Sequence, residues 1–186
     1  MDKRYIHNDR TPGRTPPQTA AMPYSLYRSL KGQYFMGYAD NMYFEMDKSA
    51  WAMLYNPQDS GVNLFVNVWT MTDLYEPPTR VQIWFNSRMP GDAMESPLLT
   101  TVNFTMQPQP KPKAKLVQAS NVTGEPDGGA KAYARRSLPG ETIVKEEEGK
   151  IILPPGGNIT VFISNSEGVN IPAYTRVAYG WWEEPR

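Results

Sequence analysis

The sequence predicts an all-β protein: a single antiparallel β-sandwich, of jelly-roll or immunoglobulin-like type, preceded by an extended N-terminal arm. Three observations predict this fold. Apolar and polar residues alternate over short stretches, which is the pattern of strands with one buried face. Clusters of Gly, Pro, Asn and Asp separate these stretches at intervals of about 8 to 12 residues. No stretch keeps a helical period. A chain of 186 residues then divides into an arm, residues 1–23, and one domain, residues 24–186.

The arm is rich in Arg, Thr and Pro, a composition that cannot bury enough apolar surface to fold alone. Proline biases its neighbours to extended geometry, so the arm suits lying along another surface. Tyr5 and Ile6 are the apolar anchors predicted for such a contact. A terminal tail without a role is the competing interpretation.

The domain begins at Tyr24, where aromatic residues become frequent. The strands predicted in order are 33–38, 42–46, 50–55, 62–71, 81–85, 102–106, 115–119, 142–144, 151–153, 158–164 and 175–182. Residues 40–41 are predicted as a break between the first two strands. Residues 131–137 are predicted to form at most a turn or two of helix. The acidic residues 146–148, with Gly149 and Lys150, are predicted as the tip of a hairpin.

The clearest pattern lies at the C-terminus. Two sets of apolar residues alternate there and are predicted to face the core: Ile159, Val161 and Ile163, then Val177, Tyr179 and Trp181. Ala178 and Trp182 are predicted to face the other way. Because this strand is last in the chain and ends at Pro185, we predict it to be a sheet edge that receives a neighbour's arm.

Aromatic residues are more numerous than one small core needs, with five Trp and eleven Tyr. Between 62 and 71, the valines at 62, 66 and 68 and Leu64 are predicted to face the core, and the alternate residues the other side. The opposite faces carry Phe65, Trp69, Trp84 and Trp182. Such aromatics can form a second layer of the same domain, stack on sugar rings, or pack against other subunits. We predict the subunit interface to include Tyr5, Ile6, Phe65, Trp69, Trp84, Ala178 and Trp182.

The sequence offers no catalytic constellation, and we expect neither an enzyme nor a cofactor or metal. Cysteine is absent, and the only histidine, His7, is in the arm. The glutamates at 146–148 are consecutive, whereas metal-binding loops space their carboxylates alternately. Net charge is zero, which disfavours nucleic acid and suits association between copies. The N-terminus has no apolar run, so membrane insertion and a signal peptide are not expected.

Two blocks resemble known proteins. Residues 55–66 (YNPQDSGVNLFV) resemble the "NP...SG.NL.V" strand entry of small β-sandwich proteins from phage particles and from spore surfaces. Residues 149–156 (GKIILPPG) and 178–184 (AYGWWEE) are similar to an uncharacterised domain family of spore-forming Gram-positive bacteria. The resemblance implies a structural, assembling role and supplies no catalytic residues. The lack of cysteine departs from disulfide-linked spore appendages.

The resulting hypothesis is a non-enzymatic subunit that polymerises with copies of itself into an extracellular filament or a layer on a cell or spore surface. Its arm would pair with the β-sandwich of a neighbour. The alternatives are a carbohydrate-binding module, with a surface glycan as partner, and a phage decoration or tail protein.

Overall fold

The computed structural model describes residues 21–74 and 78–186, and it confirms the β-sandwich. The elements in chain order are α1 (Tyr24–Leu30), β1 (Tyr34–Phe44), β2 (Ser49–Tyr55), β3 (Val62–Asp73), β4 (Thr79–Phe85), β5 (Met94–Glu95), β6 (Leu99–Thr101), β7 (Lys115–Val122), β8 (Ala130–Arg136), β9 (Thr142–Leu153), β10 (Asn158–Asn165) and β11 (Ala173–Pro185). Tyr5 and Ile6 lie outside the described residues. No helix in the described ranges is long and apolar enough to cross a membrane.

The strands form two antiparallel sheets. Sheet A has the order β6-β1-β11-β3-β9, and sheet B has the order β5-β7-β2-β10-β4-β8. The main core lies between the sheets and contains the inward residues predicted on β10 and β11, among them Ile159, Val161, Tyr179 and Trp181. The hydroxyl of Tyr179 donates to the Ala52 carbonyl oxygen of sheet B at 2.9 Å. Simple alternation therefore predicted the inward faces of these strands correctly.

Sheet B has a second apolar layer on its outer face. Trp51, Ala119, Val122 and Phe162 are buried there, on the side turned away from the main core. The loop after β4 covers them, and the Trp51 indole nitrogen donates to the Pro90 carbonyl oxygen at 2.8 Å. This layer explains why β10 is buried on both faces.

Two predicted breaks are irregularities inside single strands. Residues 40–41 form a bulge within β1, with Asn41 in the left-handed region at φ 51°. The predicted hairpin at 142–153 is wrong, because β9 is one strand that bulges between Glu146 and Ile151 opposite Val66 and Val68 of β3. Turn-forming residues also satisfy the backbone geometry of a bulge, so composition alone does not separate the two.

Two further predictions of local structure are wrong. Residues 131–137 were predicted to form at most a turn or two of helix. Residues 130–136 instead form the edge strand β8, which pairs with β4. A strand was also predicted at 102–106, but the strand found in this region, β6, ends at Thr101. Phe104 is 63% exposed. Asn103 instead turns the chain, since its side-chain oxygen accepts from the backbone N–H of Thr105 at 3.1 Å. Local alternation arises by chance in such short segments.

The C-terminal strand β11 is not a sheet edge. It lies at the centre of sheet A, hydrogen-bonded to β1 on one side and to β3 on the other. Its backbone therefore has no free side for a neighbour's arm, and the predicted docking site on this strand is wrong. Being last in the chain carries no information on position in a sheet, because pairing is non-local.

Candidate assembly surface

The described chain starts on the outer face of sheet A. Helix α1 lies there, and the ring of Tyr24 meets Trp182 edge-on, with centroids 5.6 Å apart. The Arg28 guanidinium forms an ion pair with the Glu184 carboxylate at 2.7 Å. The Trp182 indole nitrogen donates to the same carboxylate at 2.9 Å. These contacts hold α1, the first described element, against the outer face of sheet A.

The bulge in β9 completes the surroundings of Trp182. Gly149 has φ +78°, and a Cβ atom built on it would lie 2.1 Å from the Trp182 ring, so only glycine fits there without displacing the ring. The same bulge turns Glu147 towards the sandwich, where its carboxylate accepts from the Trp69 indole nitrogen at 3.3 Å. The bulge thus joins an edge strand to two tryptophans.

The edges β8 and β9 lie on the same side of the sandwich, which we term the β8–β9 flank. The short connection 137–141 leads from one strand to the other. Buried Ser137 donates to the Asp73 carboxylate at the end of β3 at 2.8 Å, and its backbone N–H donates to the Thr79 carbonyl oxygen at the start of β4 at 2.9 Å. The connection therefore holds both edges close to the body of the domain.

The side chain of Tyr133 extends from β8 towards β9 on this flank. Burial raises the pKa of Tyr133, and the nearby Glu147 carboxylate raises it further. Tyr133, Glu147 and Trp69 together close the gap between the sheets at the level of the bulge.

Both flank strands keep one side unpaired within the ranges 21–74 and 78–186. β9 has 12 residues and β8 has 7, whereas the opposite edges, β6 and β5, have 3 and 2. Unpaired N–H and C=O groups along a sheet edge are a template for another strand. The β8–β9 flank is therefore the long open edge of the described fold.

The two flank strands differ in chemistry. Val144 and Ile152 on β9 are 54% and 53% exposed, and residues 146–148 supply three glutamates. β8 instead carries Lys131, Arg135 and Arg136 with no acidic residue. β9 also carries Lys145 and Lys150, so its net charge is 2 − 3 = −1, whereas that of β8 is +3.

The predicted interface residues that the structure describes do not lie on one surface. Phe65 stacks on Trp182 with ring centroids 5.5 Å apart and planes 3° apart, and Trp182 is only 4% exposed. Ala178 is half-buried on the outer face of sheet A. Trp84 lies on the outer face of sheet B, against the second apolar layer and with the Lys131 ammonium 5.3 Å from its ring centroid. Trp182 thus forms part of a second layer of its own domain.

The outward orientation predicted for Trp69 is wrong. Its side chain is fully buried in the main core. The physical reason is a bulge: Val66 and Val68 pair with the consecutive residues Trp181 and Gly180 of β11, so one extra residue of β3 shifts the alternation. Val68, predicted to face the core, is accordingly only half-buried.

A family model described as "Family of unknown function (DUF6143)" matches residues 14–186. The chain belongs to this family. Comparison with curated proteins and with solved structures gave no match. The family match spans all the described residues and the end of the arm, so the features of sheets A and B belong to its domain.

We also searched the described residues for a metal site and for a ligand-binding cavity. In the part of the chain that the structure describes, no group of three or more His, Cys, Asp or Glu residues could hold a metal ion. An open cavity of about 570 Å³ lies at one end of sheet B, over Ser49 and Ser164. Asp47, Glu125, Lys48 and Arg80 also line it, and no aromatic ring does. It therefore lacks a stacking surface for a sugar.

Sequence reasoning missed the residues that define the open edge. Val144 and Ile152 follow the alternation of β9 and could have been identified as outward-facing, but the strand was not recognised as continuous or as an edge. Nothing in the β8 sequence, AKAYARR, signals a strand, because its side chains are almost all exposed. Its place is decided by pairing with β4.

Proposed function

We propose that the protein is a non-enzymatic structural subunit that assembles with copies of itself, the N-terminal arm of one subunit pairing with an open sheet edge of the next. The observation that carries this proposal is the β8–β9 flank, where β9 keeps 12 residues with one side unpaired among the described strands. Strand addition to such an edge gains main-chain hydrogen bonds and side-chain contacts together.

The position and length of the arm support exchange between subunits. Helix α1, which follows the arm in the chain, lies on the outer face of sheet A next to Trp182. Twenty extended residues reach roughly 66 to 72 Å, whereas a strand as long as β9 spans about 40 Å. The arm is therefore long enough to leave its own subunit and lie along another.

A contact of this kind is heterologous, since an arm on one subunit meets an edge on the next, and it propagates unless the rotation between subunits closes a ring. We propose a filament or a surface layer as the product. Its proposed location, outside the cell or on a cell or spore surface, rests on the resemblance of residues 55–66 to phage-particle and spore-surface proteins, and of residues 149–156 and 178–184 to an uncharacterised domain family of spore-forming bacteria.

Removal of residues 1–20 tests the arm. The truncation keeps Pro23, whose carbonyl oxygen accepts from the Tyr27 N–H at 3.1 Å, so α1 keeps its first hydrogen bond. We expect the full-length chain to form large particles in sizing and electron microscopy, and the truncated chain to be a folded monomer. Circular dichroism of both proteins controls for folding. Large particles of the same form from the truncated chain would refute the proposal.

The alternative as a carbohydrate-binding module has less support. Stacking on sugars needs an exposed aromatic face. Trp182 is 4% exposed, and Lys131 lies over the ring of Trp84. Polysaccharide binding lost in Trp84→Ala, with folding kept, would favour this alternative, and finding the protein in virions would favour a phage particle component.

A further inference from the structure

We infer that the acceptor for the arm is the regular part of the β9 edge, residues 142–146, and that Ile6 of one subunit lies opposite Val144 of the next in an antiparallel pair. This inference rests on the proposed function and names the partner surface and its register. Four observations on the described chain carry it: edge length, side-chain burial, charge, and the contrast with β8.

The length of each edge strand indicates which edge can accept the arm. β6 and β5 offer 3 and 2 residues, too few to hold an added strand. The bulge divides β9 into residues 142–146 and residues 151–153, both of which pair with β3 on the inner side. Residues 142–146 are the longer regular part, and strand addition needs a regular ladder.

The burial of side chains in residues 142–146 shows that both faces of this edge can still be covered by an added strand. Ile143 is half-buried and packs against the main core, and Val144 on the opposite face is 54% exposed. Consecutive residues of an added strand also point to opposite faces. Tyr5 and Ile6 therefore match this edge: with Ile6 beside Val144 on the outer face, Tyr5 lies beside Lys145 on the core-facing side, next to Ile143.

Charge favours the antiparallel direction of the added strand. Residues 1–20 contain four Lys or Arg residues and two Asp residues, so their net charge is 4 − 2 = +2. In the antiparallel register with Ile6 opposite Val144, residues 4–8 pair with the regular ladder 142–146, and Arg4 lies opposite Glu146. Opposite charges directly across a strand pair stabilise it, whereas like charges destabilise it. A parallel strand with Ile6 opposite Val144 would place Arg4 opposite Thr142 and would form no opposite-charge pair along residues 142–146.

The basic edge β8 is the contrasting case. Its residues Lys131, Arg135 and Arg136 would face a basic arm. A register shift against β4, between Ile83 and Trp84, also makes Ala132 a bulge. Lysine, arginine and bulges are the features by which natural edge strands resist pairing. We therefore expect the arm to use β9 and to leave β8 free.

The absence of cysteine allows a direct test by disulfide formation between full-length chains. One preparation carries Ile6→Cys, and a second, distinguished by a tag, carries Val144→Cys. They are mixed, allowed to assemble and mildly oxidised. The matched control replaces the second chain by Ala134→Cys, which is exposed on β8. Each variant is also oxidised alone, and non-reducing gel electrophoresis measures the disulfide-linked heterodimer.

We expect at least about tenfold more heterodimer with Val144→Cys than with Ala134→Cys, because a disulfide forms only when the two Cβ atoms approach to about 4.5 Å. Equal yields, or more from β8, would overturn the inference. In the double variant Ile6→Cys/Val144→Cys, oxidation should give a ladder of covalent multimers. A monomer closed on itself would show that the arm covers its own edge, which also overturns the inference.

A charge exchange gives an independent measurement. Glu146→Lys should weaken assembly at low salt, and Arg4→Glu combined with Glu146→Lys should restore it, whereas Arg4→Glu with Lys131→Glu on β8 should not. Lack of restoration would contradict the register. If residues 1–20 prove necessary for assembly but β9 gives neither cross-link nor rescue, the acceptor is wrong and the proposed function stands. If the truncated chain still assembles, the proposed function itself fails.

Discussion

The outer faces of the two sheets each bury a tryptophan, but they do so by different means. Trp51 on sheet B is 2% exposed, belongs to an apolar layer with Phe162, and donates to the Pro90 carbonyl oxygen of a covering loop. Trp182 on sheet A is 4% exposed, and its cover consists of α1 and the β9 bulge. None of the residues of α1 is buried.

The rest of the outer face of sheet A is only partly covered. Met36 is 47% exposed and Val144 is 54% exposed, and Leu26 and Leu30 of α1 are also exposed. The second layer of sheet B is thus part of the fold, whereas that of sheet A is incomplete and leads to the chain terminus and to the open edge β9. We therefore expect the proposed assembly surface to lie on sheet A.

The largest expected effect compares the two tryptophans. Trp51→Ala should lower the free energy of unfolding by about 3 to 5 kcal/mol, because it leaves a cavity in a layer that cannot collapse easily. Trp182→Ala should cost about 2 to 3 kcal/mol, since α1 can shift or detach. Urea unfolding measures both.

Trypsin cleavage gives a local readout for the same pair. Cleavage after Arg28 and Lys31 should become faster in Trp182→Ala and stay unchanged in Trp51→Ala, because only Trp182 touches α1. Equal losses of stability, or equal rates of cleavage, would mean that the two covers are equivalent and would break the comparison.

The bulge of β9 gives a second prediction. Gly149→Ala should lower the free energy of unfolding by about 2 to 4 kcal/mol, since the alanine adopts a left-handed conformation and its Cβ meets the Trp182 ring. Gly140→Ala is the matched control, because Gly140 has φ +70° and nothing within 4 Å of the added Cβ. It should cost only about 1 to 2 kcal/mol. Equal costs would show that the bulge does not support Trp182.

The smallest expected effect depends on pH. Tyr34 lies under α1, and its hydroxyl accepts from the Asn67 side-chain nitrogen at 2.8 Å. Burial raises the pKa of Tyr34 above its ordinary value of 10.0, although the Asn67 hydrogen bond lowers it in part. The folded state therefore favours the neutral phenol, and this contribution is present below about pH 10 and is lost as pH rises through the folded pKa.

Tyr34→Phe should reduce the loss of stability between about pH 9 and 11 by a few tenths of a kcal/mol, because the hydroxyl is only partly buried. The measurement is the difference in urea midpoints between the variant and the wild type, since other tyrosines titrate in both. The second layer of sheet B contains no ionisable side chain among its described residues. An identical pH dependence in the two proteins would contradict the prediction.

The sequence predicted most of the sandwich. Alternation identified the inward faces of β4, β10 and β11, and turn clusters such as residues 56–61 marked several strand ends correctly. It failed where a bulge shifts the alternation by one residue, as at Trp69, and where a strand is exposed on both faces, as β8 is. In each case the missing information is the partner strand, which lies far away in the chain.

By itself, the sequence determined the fold class, the inward faces of the regular strands and the lack of cysteine chemistry, because these depend on local periodicity and on composition. Only the tertiary structure decided that β11 is central, that β9 is the long open edge and that Trp182 is covered by α1 and Gly149. The position of a strand in its sheet, the position of each bulge and the contacts of the second layer all arise from pairing between residues that are distant in sequence. No local sequence pattern records that pairing.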